Sequence, residues 1–163
     1  MLTKKLDERH TLVKTMGYPR VFSSKRSGHR TLLGIGGNIG DVLRRFEHLL
    51  VVLQRSALVE VIESSPILIN PAFGYVNQND FYNALLLIET QLTPKKLLHY
   101  VLNIEKKFGR KRSFQDAPRT LDIDIIFYEN VTMQTKDLIL PHSGWMKRSS
   151  VLVPLSYMKG NVV

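Results

Sequence analysis

The sequence predicts an α+β fold, helices packed on an antiparallel sheet, and three observations carry that prediction. Strand-like and amphipathic helical segments succeed one another in the order strand, helix, strand, strand, helix, strand. Two of those strands follow each other directly, which breaks the strand–helix repeat that a doubly wound parallel sheet needs. A chain of 163 residues with 44% hydrophobic content has material for one core, so one main domain is expected.

The first 30 residues stand apart. They hold eight Lys or Arg against Asp7 and Glu8, or +6 of a net charge of +9, and they end in "SSKRSGHR". With little apolar periodicity, residues 1–30 read as a flexible basic extension. A transit peptide would share that composition, but a disordered tail is the simpler account.

"TLLGIGGNIGD" follows as a strand from 31 to about 36, a glycine turn, and a helix capped by Asp41. Val42, Leu43, Phe46, Leu49, Leu50 and Leu53 form its apolar stripe. "ALVEVIE", residues 57–63, alternates as a strand, and residues 64–80 read as one long loop, a length that goes with function or disorder. "FYNALLLIET", residues 81–90, is the clearest strand. The next helix has Thr93 as cap, Pro94 at its first position and Gly109 past its end, with Leu97, Val101, Ile104 and Phe108 facing inward. A basic loop, "GRKRSFQDAPR", leads to the last main strand in "TLDIDIIFY"; a hairpin around "ENVTMQTKDL" and the segment "LPHSGWMKRSSVLVPL" close the chain. This order is the split βαβ pattern of a ferredoxin-like sandwich, a fold that hosts many activities and names none.

Composition narrows the function classes. The chain has no cysteine, which excludes disulfides and thiolate metal sites and fits a reducing compartment. No stretch approaches the roughly 20 apolar residues of a membrane span, and the N-terminus lacks the apolar centre of a secretory signal. A soluble, cytoplasmic, monomeric protein without a membrane partner is expected.

The chemistry concentrates around the last strand. Strand alternation places Asp122 and Asp124 on one face, with Leu121, Ile123, Ile125 and Phe127 on the other. Two carboxylates about 6 Å apart repel by roughly 3 kcal/mol at an effective dielectric of ~20. A solvated sheet face would tolerate that; so would a hard divalent cation, which takes carboxylate oxygens and completes its shell with water and phosphate. Arg110, Lys111, Arg112 and Arg119 lead into the pair, and phosphate chemistry needs both signs together. Pro118 restricts the backbone before Arg119 and so aims its guanidinium. His142 and Arg148 could form a second phosphate clamp. Phe81 and Asn83 share one strand face, a ring and an amide suited to a flat heterocycle. Gly34, Gly36 and Gly40 are spaced GxGxxxG and lead into the wrong topology for a nicotinamide site, so they read as a tight turn with close backbone approach.

Taken in order, "LGIGGNIGD", "FYNALLLIET", "IEKKFGR", "APRTLDIDIIFY" and "LPHSGWMKRSSVLVPL" resemble the motifs of the 6-hydroxymethyl-7,8-dihydropterin pyrophosphokinase family over roughly residues 31–157. The resemblance implies a pyrophosphokinase domain over 31–163 that transfers pyrophosphate from ATP to the pterin hydroxymethyl group and releases AMP, in folate biosynthesis. It implies that Asp122 and Asp124 bind two Mg²⁺ ions with ATP. Arg110, Arg112 and Arg119 would engage the polyphosphate, with Arg110, Arg119 and the two aspartates as the catalytic set. Glu105, His142 and Arg148 would contact the nucleotide. Phe81, Asn83, Ser64 and Ile67 would bind the pterin, the last two through a loop backbone.

The chain departs from the family pattern at several points. The second pterin-stacking aromatic falls on Ser150, leaving Phe73, Tyr75 and Trp145 as candidates for its role. Asp116 stands where Trp or Asn is common, Gly37 where a serine is, and the chain ends at Val163, sooner after "VPL" than the family pattern leads one to expect. The basic leader has no counterpart. Two rivals remain open: an RNA-binding module, which the acid pair argues against, and a nucleotidyltransferase using a similar DxD.

Overall fold

The computed structural model describes residues 1–24, 27–71, 77–110 and 118–160. In chain order they form β1 (Leu2–Lys5), β2 (Thr11–Lys14), β3 (Arg20–Val21), β4 (His29–Gly37), α1 (Val42–Arg55), β5 (Val59–Ser64) and β6 (Ile67–Asn70). Then come β7 (Phe81–Thr90), α2 (Pro94–Lys107), β8 (Asp122–Tyr128), β9 (Met133–Gln134), β10 (Ile139–Leu140), a 3-10 turn at Trp145–Lys147, and α3 (Ser149–Ser156). The fold is α+β.

The caps explain the helix ends. Asp41 accepts from the Arg44 amide at 3.1 Å, and Thr93 caps α2 with Pro94 following it. Gly109 closes α2 at φ +81°, a left-handed conformation that costs glycine nothing.

Among the described residues one antiparallel sheet carries eight strands, with β4 paired along its whole length to β7 at its centre. β8 lies on the far edge of β4. The other edge of β7 is shared, β5 along residues 86–90 and β6 along 81–83. The stripes of α1 and α2, with Phe46, Leu49, Leu53, Leu97 and Val101, pack on Leu33, Ile35, Leu86, Ile88, Ile123 and Ile125 to form the main core. Leu85 and Leu87 point the other way, to a smaller cluster with Leu32, Ile126, Phe127 and Val151 of α3.

Three expectations change. Residues 1–30 are not an extension loose from the domain: β2 pairs with β6, β3 pairs with β5, and Leu12, Val13 and Tyr18 are buried. The Tyr18 hydroxyl donates to the Phe46 carbonyl at 2.9 Å, and Glu47 accepts from the Gly17 amide at 3.0 Å. The burying partners lie tens of residues away, so no local periodicity announces them. Residues 64–80 are not one loop, because β6 forms within them, with Pro66 and Pro71 at its two ends, where no ladder amide is required. Phe127 does not share a face with Ile125. The register shifts between Leu32 and Leu33, leaving Ile126 as the extra residue, and this bulge turns Phe127 to the acid face and Tyr128 to the main core.

Candidate active site

The acid pair lies on the sheet face opposite α1 and α2, where register brings it beside Asn83. Asp122 stands opposite Gly36, which stands opposite Asn83; Asp124 stands opposite Gly34, which stands opposite Leu85. The two glycines are therefore floor as well as strand. A Cβ at Gly36 would meet Asn83 Oδ1 at 2.8 Å, and one at Gly34 would meet the Ile126 side chain at 3.2 Å. At Gly37 a Cβ would lie 2.6 Å from the Thr120 carbonyl, which leaves no room for the serine of the family pattern.

A fixed chain of charges runs through the site. Arg110, 7% exposed, donates from Nη1 to Asp122 Oδ1 at 2.7 Å and to the Leu121 carbonyl at 3.1 Å. The same nitrogen lies 3.7 Å from Glu105 Oε1. Glu105 is 2% exposed and its Oε2 accepts from the Ile123 amide at 2.9 Å. Glu105 thus secures Arg110 and the start of β8 as well as lining a cavity. Arg110 Nε is buried without an acceptor among the described residues, so one donor stays available.

Arg119 donates to Asp122 Oδ2 at 3.0 Å. Its aim comes from Asn38, a residue the sequence did not single out. Asn38 Oδ1 accepts from the Arg119 amide at 2.8 Å, the Asn38 amide donates to the Arg119 carbonyl at 2.9 Å, and its Nδ2 donates to Gln78 Oε1 at 2.7 Å.

Asp124 is 40% open, yet the cleft removes enough water that its carboxyl is pushed up to about 7. Desolvation is the largest cause, the Asp122 charge adds to it, and Arg148 pulls the other way. His142 Nε2 lies 4.0 Å from Asp124 Oδ2. Burial first and Arg148 second hold the His142 pKa below its ordinary value, and Nδ1 accepts from the Gly144 amide at 3.2 Å, so Nε2 carries the proton.

Two cavities meet at the acid pair. One, of about 590 Å³, includes Phe81, Asn83, Asn70 and Ser150 in its wall. The other, of about 640 Å³, includes Glu105, Arg110 and His142. Arg119, Asp122, Asp124 and Arg148 line both. Asn70, overlooked because it sat in the supposed loop, accepts from Asn83 Nδ2 at 2.8 Å and so fixes that amide.

Ser64 and Ile67 lie elsewhere, both fully buried away from these walls. Ser64 Oγ donates to the Gly17 carbonyl and accepts from the Arg20 amide, and Ile67 pairs with Val13. Trp145 packs edge-on against Phe127 at 4.7 Å in the smaller core, which commits its ring. Arg112, Lys111, Asp116, Phe73 and Tyr75 lie outside the described residues.

The donor set suits a hard cation: two carboxylates on one face, one of them raised in pKa by burial first and by its neighbour's charge second. Each Asp122 oxygen that accepts from an arginine keeps a further lone pair. Among the described residues no group of three or more His, Cys, Asp or Glu is placed to hold a metal. Further ligands would then come from phosphate and water.

A ring and amide in one cavity, arginines shared between it and a second cavity, and carboxylates at the junction fit a two-substrate enzyme of the phosphoryl-transfer class. Comparison with known proteins specifies it. Residues 32–160 match the model of the 7,8-dihydro-6-hydroxymethylpterin-pyrophosphokinase family, and the chain belongs to that family. A 2-amino-4-hydroxy-6-hydroxymethyldihydropteridine pyrophosphokinase of Helicobacter pylori is 42% identical over 142 residues, 85% of this chain and 87% of its own. One of Aquifex aeolicus is 35% identical over 132 residues, 80% of this chain and 81% of its own. A folic acid synthesis protein of Dictyostelium discoideum is 32% identical over 142 residues, 86% of this chain but 21% of that longer protein. The chain is a pyrophosphokinase.

Proposed function

We propose that this enzyme transfers the pyrophosphoryl group of ATP to the hydroxymethyl oxygen of 6-hydroxymethyl-7,8-dihydropterin, releasing AMP. One observation carries the reading: Asp122 and Asp124 sit where a cavity with Phe81 and Asn83 meets one with Arg110 and His142. The pterin would pack on Phe81 and hydrogen-bond to the amide of Asn83, while Arg110, Arg119, His142 and Arg148 hold the polyphosphate. The hydroxymethyl oxygen would bond to the β-phosphorus as the bond from that phosphorus to the α,β-bridging oxygen breaks, and the hydroxyl proton passes to water.

Asp122 and Asp124 would hold Mg²⁺, two ions with ATP, which when bound neutralise phosphate charge. The chain's own contribution is alignment. Asn38 aims Arg119, Glu105 secures Arg110, and Asn70 sets Asn83, so the acceptor and donor pockets are held at fixed places before substrate arrives. We extend the reading to a monomeric cytoplasmic enzyme without a nucleic-acid partner. No helix among the described residues is long and apolar enough to cross a membrane. The order β8, β4, β7, β5 supports a ferredoxin-like sandwich.

The test is product analysis with the pterin as acceptor. AMP should form only with the pterin and Mg²⁺ present, and Asp122→Asn and Asp124→Asn should each lower kcat by at least about 10³-fold. Release of pyrophosphate instead would mark a nucleotidyltransferase, and salt-sensitive, metal-independent RNA binding without turnover would mark the binding module.

A further inference from the structure

The pterin-side cavity has a wall that the family match does not include. Arg9 and His10, from the turn between β1 and β2, line it together with Phe81 and Asn83, whereas the matched segment begins at residue 32. The turn is built to hold position. Asp7 Oδ1 accepts from the amides of Arg9 at 2.7 Å and His10 at 2.9 Å, and the Leu6 amide donates to the His10 carbonyl at 2.9 Å. It is also tied to the strands that carry the site. Thr11 pairs with Ile69, one position before Asn70, and Asn70 pairs with Phe81.

The His10 ring is held by its edge. Nδ1 lies 2.9 Å from the Asp7 carboxylate, which can only accept, so Nδ1 carries a proton; Nε2 lies 3.1 Å from Ser149 Oγ at the start of α3. With both nitrogens engaged and the side chain 22% exposed, what the ring can offer the cavity is carbon and π surface. Ser149 and Ser150, also in this wall, carry no ring.

We propose that His10 is a specificity-determining residue of the acceptor site, its ring face forming a flat wall on which the acceptor heterocycle packs. The inference rests on the reading above that the acceptor is a pterin. Stacking of this kind is worth roughly a 3- to 10-fold change in affinity.

The test uses the full-length enzyme with AMP release as readout and thermal denaturation as a fold check. His10→Ala should raise KM for the pterin about 3- to 10-fold, with KM for ATP within about 2-fold of wild type. His10→Phe, which keeps a ring but loses both hydrogen bonds, should restore most of the loss. His10→Asn, which keeps polar contacts but has no ring, should not. Restoration by Asn and not by Phe would show a mere brace between the turn and α3 and overturn the proposal. So would a His10→Ala enzyme with unchanged pterin KM, or one that loses ATP and pterin binding together. If wild type itself releases no AMP with the pterin, the functional reading fails first and this inference with it.

Discussion

Asp122 and Asp124 lie two residues apart on one strand and carry different loads. Asp122 accepts from two arginines, whereas Asp124 has a histidine nitrogen at 4.0 Å and, among the described residues, no arginine ion pair, and its carboxyl is pushed up to about 7. The sign of the consequence follows from linkage. Between the unfolded value near 3.8 and about 7 the folded protein binds the proton that the unfolded chain has released, so stability falls as pH rises through that window and levels off above it. Without metal, Asp124→Asn should therefore stabilise the fold at pH 8 and change it little at pH 4. Solvent reaching 40% of the side chain screens the penalty, so a gain of about 1 kcal/mol is expected. Urea denaturation in chelator at the two pH values measures it. A variant less stable at pH 8 would mean that this carboxylate is already well compensated.

At the level of elements, two of the three departures from expectation, those at residues 1–30 and 64–80, have one physical cause. α1, α2, β7 and β8 were legible because caps, periodicity and alternation are local signals, and the acid pair was legible because it sits inside one strand. β2 and β6 are four residues each, and their burial depends on each other and on β7, so neither carries a signal of its own. Asn38, Asn70 and His10 were missed for the same reason: each acts through a partner distant in sequence. Leu12→Ala should accordingly destabilise the protein by roughly 2–4 kcal/mol by chemical denaturation, as expected for a buried leucine. A flexible leader would give almost none. On β4, Gly36→Ala should displace Asn83, since the added carbon falls 2.8 Å from Oδ1. Its mark should be a pterin KM raised about 10-fold with ATP KM little changed, because a displaced amide costs about one hydrogen bond. Equal loss on both substrates would place the damage in the acid pair instead.

For the molecule as a whole, the two cavities sharing one pair of carboxylates make a prediction about how ligands and metal are linked. Asp122, Asp124, Arg119 and Arg148 border both spaces, while Glu105, Arg110 and His142 border one and Phe81 and Asn83 the other. A polyphosphate entering beside two carboxylates meets like charge, and a divalent cation reverses that sign. A neutral heterocycle against a ring and an amide meets no such penalty. A non-hydrolysable ATP analogue at 100 times its Kd should therefore stabilise the protein by about 2.7 kcal/mol with Mg²⁺, a rise of roughly 5–10 °C in Tm for a domain of this size. In chelator, at the same analogue concentration, most of that rise should vanish, whereas the pterin should shift Tm to a similar extent with or without metal. The Asp122→Asn, Asp124→Asn double variant separates the causes. Removing both charges removes the repulsion together with the cation's ligands, so its response to the analogue should be alike in Mg²⁺ and in chelator and smaller than that of the wild type in Mg²⁺. If that variant kept the full Mg²⁺ dependence, the cation would be held elsewhere and the acid pair would lose its role at the junction.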